Sequence, residues 1–259
     1  MPTQVPAGTL TFSVADWTGP AGVSLLQGAK WAGRDFFVYQ ADRLSGREDL
    51  IIRRYDSQRK YKGYLTVVRG GHGSSTGVIQ VNETTSRHLI PAGDRGILAV
   101  DYIIGNAGTP PRKIFNTVGY CSAVSCNNSA NRLSVRKGGS SQTITWYNRD
   151  KILAGEKPQD DFRFSFPTPK NATFQGHYNF GDSDYFHWET EGIKRGTKGY
   201  RSWAERWTNG KKVATLDTTP WFRTGEPQGF LGYNNALYFC KRVGGLNRQR
   251  FMAAIPCRL

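Results

Sequence analysis

The sequence has few cysteines, and their spacing is not that of a metal site. The 259-residue chain contains Cys121, Cys126, Cys240 and Cys257. No second pair of cysteines or histidines follows the first two at the spacing that a structural zinc site requires. We therefore predict no metal site, no cofactor and mostly buried free thiols. A loop disulfide between Cys121 and Cys126 is the minor alternative.

The sequence also lacks a long apolar run. No stretch of 18 residues is apolar throughout, so we predict no helix that spans a membrane. Residues 1–6 carry no basic segment followed by an apolar one, so we expect that a secretory signal is absent or already removed. The methionine at position 1 favours a protein that is made and assembled in the cytoplasm.

Catalytic signatures are scarce as well. We expect no Gly-x-Ser-x-Gly elbow, no His-Glu-x-x-His pair and no phosphate-binding loop. Glycosidases need two carboxylates at a defined separation, and no such pair stands out. Four acidic residues in one predicted hairpin are expected to be solvated: Asp182, Asp184, Glu189 and Glu191. We predict that the chain is not an enzyme, with an acid–base set of His72, His177 and Glu226 as the lyase or hydrolase alternative.

Acidic residues are few relative to basic ones. Lys and Arg together number 35 and Asp and Glu number 20, which gives a formal net charge of +15. This surplus indicates a polyanionic partner, such as nucleic acid, an anionic cell-wall polymer or an acidic membrane. A basic surface that only confers solubility is the alternative. The basic residues are scattered and no nucleic-acid-binding motif is present, so nucleic acid is the less favoured partner.

Glycine and aromatic residues are plentiful, and they recur in a pattern. The chain has 30 Gly and 13% aromatic residues, which indicates short strands joined by tight turns. A polar residue followed by Gly precedes an aromatic strand at Gln27, His72, Gln175 and Gln228. These openers are 45, 103 and 53 residues apart. A period near 50 in an all-β chain is typical of propeller blades.

The sequence therefore predicts an all-β fold, a five-bladed β-propeller that forms one domain over residues 1–259. The blades are predicted to start near residues 23, 72, 125, 174 and 226. Residues 9–14 alternate polar and apolar side chains, and we expect this strand to complete the last blade beside residues 250–255. Asn209 and Gly210 predict a tight hairpin. In blade three, residues 121–130 are predicted to be loop-like and residues 151–161 an irregular loop.

Several segments resemble a known family. They are the Gly-Gly-His-Gly-Ser-Ser-Thr-Gly-Val stretch at 70–78, preceded by 63–66, the segment 174–177, and the Glu-Pro-x-Gly segment 226–229 before the strand 237–239. Their order resembles the propeller shared by teichoic-acid-biosynthesis-protein-C-like proteins and phage receptor-binding proteins. The resemblance implies a five-bladed propeller found in phage tail proteins that dock on cell-wall glycopolymers, and in bacterial surface and bacteriocin-like proteins. It implies no catalytic set.

The polar openers and two nearby residues are predicted to gather around the central channel. Their side chains would form one group because each begins the innermost strand of a blade, where glycine gives room. The group comprises Gln27, His72, Gln175, His177, Glu226 and Gln228. It is either a polar pocket for a ligand or a hydrogen-bonded plug that holds the blades in register, and we favour the plug.

A second candidate site combines aromatic and basic residues on the surface. Flat rings stack on sugars and guanidinium groups fork onto phosphates, so the combination suits a phosphate-bearing glycopolymer. Single-stranded nucleic acid is the rival ligand because rings also stack on bases. We expect most rings to be buried between blades, and we select as binding residues Trp203, Trp221 and Arg223.

These observations predict a non-enzymatic propeller of the phage-tail type that binds the host envelope. We expect it in the virion tail after assembly in the host cytoplasm, in several copies and in contact with other tail proteins. The alternatives are a propeller enzyme that degrades an envelope polysaccharide, and a bacterial surface or secreted bacteriocin-like protein.

Overall fold

The described residues of the protein fold as five four-stranded antiparallel sheets and two short helices. The computed structural model describes residues 10–14, 24–42, 49–71, 73, 75–92, 96–104, 112–115, 120–138, 141–157, 159–233, 236–244 and 250–257. Each sheet is a blade, numbered in chain order. Among the described residues, no helix is long and apolar enough to cross a membrane.

The strands follow one another along the chain with little interruption. The first is β1 (Leu10–Val14). Blade one contains β2 (Ser24–Ala32), β3 (Asp35–Asp42), β4 (Asp49–Tyr55) and β5 (Tyr61–Val67). Blade two contains β6 (Gly77–Gln80), β7 (Thr85–Pro91), β8 (Ile97–Ile103) and β9 (Arg112–Phe115). Blade three contains β10 (Cys121–Asn127), β11 (Arg132–Lys137), β12 (Ser141–Asn148) and β13 (Phe162–Pro167), with helix α1 (Arg149–Leu153) before its last strand.

The second half of the chain repeats this plan. Blade four contains β14 (Ala172–Phe180), β15 (Ser183–Thr190), β16 (Ser202–Thr208) and β17 (Lys211–Asp217). Helix α2 (Thr219–Phe222) leads to blade five, which contains β18 (Glu226–Tyr233), β19 (Ala236–Gly244) and β20 (Arg250–Pro256). The first strand of each blade contacts that of the next, in the cyclic order β2, β6, β10, β14, β18 and back to β2. The prediction of an all-β propeller is confirmed.

The two ends of the chain meet in blade five. Strand β1 pairs antiparallel with β20, from Leu10 opposite Ala254 to Val14 opposite Arg250. The fourth strand of this blade therefore comes from the N-terminus, as the surplus strand at 9–14 predicted. The arrangement is consistent with a five-bladed propeller closed by its terminal strands.

The middle strands are buried on both faces because each blade packs between two others. In β3, Phe37 and Tyr39 pack toward blade two, whereas Phe36 and Val38 pack toward blade five. Successive side chains of a strand point to opposite faces, so a strand covered on both sides is apolar throughout. Each buried side chain of this size stabilises the fold by roughly 1.5–3 kcal/mol.

The predicted Asn-Gly hairpin of blade four is confirmed. Asn209 and Gly210 connect β16 to β17 with φ values of 50° and 74°. Two consecutive positive φ angles match the right-handed twist of the paired strands, and Asn and Gly adopt them at the lowest cost.

Blade three differs from its prediction in two places. Residues 121–127 are not a loop but the innermost strand β10, whose side chains are almost all buried. Small residues suit this crowded position: a Cβ added to Gly77 of blade two would lie 2.6 Å from the Cys126 sulfur. The segment 151–161 is also not a loop throughout, because its first three residues belong to helix α1. Asn148 caps this helix: its side chain accepts a hydrogen bond from the Lys151 backbone amide at 3.1 Å.

The cysteines are free thiols, as predicted, and only Cys257 is partly exposed. The alternative disulfide between Cys121 and Cys126 is wrong. Both lie on β10, and five residues of extended chain span roughly 16 Å. A disulfide needs Cα atoms within about 7 Å.

Candidate functional site

The polar openers lie at irregular positions of the innermost strands. The pairing shifts between Leu26 and Gly28 in β2, between Phe174 and Gly176 in β14, and across Gln228 in β18. A β-bulge of this kind leaves one residue outside the ladder and bends the strand. The adjacent glycines allow close approach, since a Cβ on Gly176 would lie 2.4 Å from the Gly229 Cα.

The openers do not all share one set of contacts. Gln27 and Gln228 are buried, and His72 lies outside the described residues. Gln175 donates a hydrogen bond to Glu189, and Glu226 forms ion pairs with Arg195 and Arg242. His177 belongs to a different network, between blades three and four.

Glu189 lies between two of the predicted site residues. It bonds Gln175 directly and is linked to Glu226 by Arg195. Its carboxylate accepts hydrogen bonds from both Nε and Nη2 of Arg195, and another from the Tyr200 hydroxyl at 3.1 Å. The same Arg195 lies 3.4 Å from Glu226 of blade five. The expectation that Glu189 is solvated is wrong: it is buried, and it anchors the loop 191–201 to blades four and five.

His177 is fully enclosed. Its Nε2 lies 2.8 Å from Asp184 Oδ1, which also accepts hydrogen bonds from Ser134 and Asn179, while Trp146 donates to the other oxygen at 2.7 Å. Burial lowers the pKa of His177, and the Asp184 carboxylate acts in the opposite direction. The expectation from the sequence that Asp184 is solvated is wrong, because Asp184 is completely buried.

These contacts do not form an acid–base centre. A single ring nitrogen of His177, Nε2, contacts both Ser134 and Asp184, whereas a triad uses one ring nitrogen for the nucleophile and the other for the carboxylate. Glu226 is held by two arginines in a separate network. Among the described residues, no contact joins His177 to Glu226, and no cluster of three or more His, Cys, Asp or Glu residues could hold a metal ion.

The glycine-rich stretch has one feature that sequence reasoning missed. Residues Gly73 to Gly77 have the spacing of a Gly-x-Ser-x-Gly elbow, with Ser75 at the centre. Ser75 is buried, and its hydroxyl accepts a hydrogen bond from the His177 amide at 3.3 Å. The segment leads into β6 and not into a helix, so the strand–turn–helix context of a nucleophile elbow is missing. Ser75 ties blade two to blade four.

An open groove lies at one end of blade four. Its volume is about 440 Å³, and it is lined by Lys170, Asn171, Thr190, Arg201, Ser202, Trp203, Thr215 and Asp217. The antiparallel ladder brings these distant positions together, since Ser202 pairs with Glu189 and Trp203 with Asp217. Lys170 and Arg201 are exposed, and Trp203 is half-buried.

The groove combines three kinds of contact in one place. The Trp203 ring can stack on the face of a sugar. Two cations flank it, and the hydroxyls and amide of the other lining residues can form hydrogen bonds. The groove cations could have been found from sequence, because Lys170 lies two residues before β14 and Arg201 directly precedes β16.

The other two predicted aromatic and basic site residues lie elsewhere. Trp221 packs on Phe239 of blade five, with ring centroids 5.8 Å apart. Trp203 packs instead with the aromatic cluster around Trp188. Arg223 is exposed after α2 and does not line the groove.

Two solved structures show the same fold as this chain. The tail fibre of Staphylococcus aureus phage P68 matches with a TM-score of 0.68 and 15% identity, over 95% of this chain and 52% of the fibre chain. This chain has a β-propeller fold. An exo-β-1,3-galactanase from Phanerochaete chrysosporium matches with a TM-score of 0.56 and 11% identity, over 97% of this chain and 66% of the enzyme.

At sequence identities of 15% and 11%, the similarity to these two structures shows a common fold and nothing further. The propeller spans about half the length of the tail fibre that it matches. No model of a known protein family matches the sequence, and no curated protein matches it. The resemblance to a family that the glycine-rich stretch suggested is therefore supported by the sequence motifs alone.

Proposed function

We propose that this chain is the five-bladed propeller of a phage tail protein that binds an anionic glycopolymer of the host envelope without cleaving it. The N-terminal strand closes the ring. The fold similarity to a phage tail fibre over 95% of the chain supports a place in the virion tail. The net charge of +15 suits an anionic polymer.

The observation that carries the proposal is the groove of blade four. Its lining brings the half-buried Trp203 together with two exposed cations, Lys170 and Arg201. A sugar stacked on the indole would bring its acidic substituent within reach of either cation. Thr190 holds Arg201 in place, because its hydroxyl accepts from the Arg201 amide at 2.6 Å and donates to the Arg201 carbonyl at 2.9 Å.

The second candidate function is hydrolysis or elimination of the same polymer, and the fold shared with a galactanase favours it. The groove residues argue against it. Asp217 is the one carboxylate among the groove residues, and it accepts a hydrogen bond from the Thr219 amide at 2.9 Å. A glycosidase needs two carboxylates that face the substrate. The carboxylates of Glu189 and Glu226 are occupied by Arg195.

The remaining partners follow from the proposed place in a tail. We propose contacts with other virion tail proteins and a homo-oligomeric assembly, because closed symmetric copy sets are the usual arrangement of such components. Nucleic acid is the weaker proposal, since the cations of the groove flank a single half-exposed ring and not a row of stacking platforms.

Binding of purified host wall polymer tests the function. We expect saturable binding by the wild type that persists at about 0.3 M salt, while binding to DNA and heparin is lost, because salt cuts the phosphate-contact term steeply. Trp203→Ala should weaken the salt-resistant part about tenfold, since stacking contributes roughly 1–3 kcal/mol per ring. Lys170→Gln combined with Arg201→Gln should weaken the salt-sensitive part.

Lys211→Gln provides the matched control for charge. Lys211 is exposed at the opposite end of β17, about 13 Å along the strand from Thr215, the nearest groove residue on that strand. This variant should bind like the wild type at every salt concentration. Equal salt sensitivity for all polyanions would refute specific binding. Release of polymer fragments by the wild type would show that the protein cleaves the polymer, and the proposal of a non-enzymatic binding function would be wrong.

A further inference from the structure

One buried guanidinium group of blade three lacks a counter-charge. Arg136 of β11 is 4% exposed. Its Nη1 donates to the Ser122 hydroxyl at 2.6 Å, and its Nε has no hydrogen-bond partner among the described residues. The guanidinium carbon lies 3.5 Å from the centre of the Phe174 ring and 5.8 Å from that of Trp188. No described carboxylate forms an ion pair with it.

This environment leaves most of the hydrogen-bonding capacity of the group unused. A guanidinium has five N–H donors in a planar fork. Aromatic faces attract the cation, but this attraction is smaller than the cost of removing a charge from water. Burial lowers the pKa of Arg136 to about 9, with the Cys121 thiol acting in the opposite direction. The side chain is therefore still a cation at neutral pH, and an acceptor is missing.

Two other charged groups at this interface, Arg132 and Asp184, have hydrogen-bond partners. Arg132, four residues earlier on β11, also stacks on a ring, that of Trp146 at 3.7 Å. Unlike Arg136, it donates to Asn179 and to the Gly181 carbonyl, both at 3.4 Å. Asp184 lies on the same interface, and its oxygens are taken by neutral donors and His177.

Gly138 lies directly against this cation. A Cβ added to Gly138 would lie 3.2 Å from Nη1 of Arg136, 3.3 Å from Nη2 and 3.3 Å from the Ser122 hydroxyl. Gly138 does not have a positive φ, so backbone conformation does not require glycine there. What its missing side chain provides is a cradle in front of one guanidinium and one hydroxyl.

The cradle lies in line with the groove of blade four. Phe174, Trp188 and Trp203 are cross-strand neighbours, Phe174 opposite Trp188 and Trp188 opposite Trp203. Arg136 stacks on the inner end of this row, and the groove opens at its outer end. Adjacent strands lie about 4.8 Å apart, so the two ends of the row are about 10 Å apart.

We propose that Arg136 and Ser122 bind an anionic oxygen group in the cradle beside Gly138. The group is a phosphate or a carboxylate, whose two oxygens match the guanidinium fork. In a glycopolymer it would be the acidic substituent next to the sugar that stacks on Trp203. That last assignment rests on the proposed function, whereas the anion site itself does not.

Thermal unfolding in inorganic phosphate tests the site, with chloride at matched ionic strength as the reference and acetate as the carboxylate probe. We expect one of the two probes to raise the Tm of the wild type by about 2 °C or more. Arg136→Met should remove this rise and leave the basal Tm unchanged or higher, because an uncompensated buried charge is lost. Gly138→Val should also remove the rise while the arginine is retained.

Arg132→Met is the matched control on the same strand. It should lower the basal Tm, because it breaks satisfied hydrogen bonds, and keep the full anion-dependent rise. The site is disproved if neither anion raises the Tm of the wild type, or if Arg136→Met responds as the wild type does. Polymer binding separates the two proposals: groove variants that bind polymer normally would refute the function, and an anion-dependent rise would survive that result.

Discussion

Three histidine side chains are buried inside the described part of the propeller, and each connects strands by hydrogen bonds. His88 contacts the Tyr39 hydroxyl through Nδ1 at 2.9 Å, and His187 Nε2 lies 2.9 Å from Ser202 Oγ. Burial lowers the pKa of both histidines to about 3, and it lowers the pKa of His177 as well. All three are therefore neutral in the folded protein at neutral pH.

Stability should decrease in mild acid because of these histidines. Below about pH 6.5 the unfolded chain binds a proton on each imidazole, whereas in the folded chain His88 and His187 do so only near pH 3 and His177 only below its usual pKa. The unfolded state then binds more protons, so the free energy of unfolding falls as the pH falls. We expect a decline between about pH 6.5 and pH 4 of up to about 1.4 kcal/mol per pH unit for each of His88 and His187. Urea denaturation across this range measures it.

Carboxylates and the overall positive charge also destabilise the protein in acid, so a variant must isolate the histidine contribution. His187→Gln removes one titrating group, while its amide can still bond the hydroxyls of Ser202 and Thr218. The unfolding free energy of this variant should fall less steeply with decreasing pH, because about one proton fewer is taken up on unfolding. A slope equal to that of the wild type would show that His187 is not responsible.

At the scale of elements, the innermost strands depend on side chains from other blades. The Ser125 hydroxyl accepts from the Asn179 amide at 2.8 Å, and Lys30 donates to the Phe230 carbonyl at 2.6 Å. The inner edge of a strand otherwise leaves backbone groups unpaired. These hydrogen bonds and the close glycine contacts join the innermost strands of different blades, and the plug hypothesis for the openers stays a prediction.

Replacing Gly176, the glycine that follows the opener Gln175, should strongly destabilise the protein although its φ is not positive. In Gly176→Ala the new Cβ would lie 2.4 Å from the Gly229 Cα, a backbone atom that cannot turn aside. We expect a loss of about 3 kcal/mol or more of unfolding free energy, at the upper end of overpacking costs. Chemical denaturation measures it.

Gly181→Ala is the comparison for this prediction. Gly181 has a φ of 61°, and no atom lies within 4 Å of an added Cβ. The cost should be the conformational one alone, about 1–2 kcal/mol. If the two variants lose equal stability, the close approach of blades four and five does not limit the packing.

At the scale of the whole molecule, the pairing of β1 with β20 joins the two ends of the chain. Deletion of residues 1–15 should lower the Tm by at least about 5 °C, because blade five loses its outer strand. The exposed edge of β20 should also promote aggregation. Scanning calorimetry and light scattering measure both effects.

Deletion of residues 1–9 is the control, because it leaves β1 intact. This shorter deletion should keep the Tm and the solubility of the full chain. A full deletion of residues 1–15 that melts like the wild type would rule out a closing role for β1.

The repeating architecture can be predicted from the amino-acid sequence alone. Openers 45, 103 and 53 residues apart predict blades, and Asn209 with Gly210 predicts one hairpin, because strand alternation and turn geometry depend on neighbouring residues. The sequence also identified Trp203 as a candidate binding residue. Where the local signal was weak, in blade three, the small residues of an inner strand resembled a loop.

The polar contacts between blades, in contrast, depend on how the blades pack and cannot be predicted from the sequence. Lys30 and Phe230 are 200 positions apart, and Asn127 and Asn179 are 52 apart. The burial of Asp184 and Glu189, the groove cations beside Trp203 and the unpaired Arg136 depend on such contacts. No local pattern encodes them, because the partner of a buried charge is set by how one blade packs on the next.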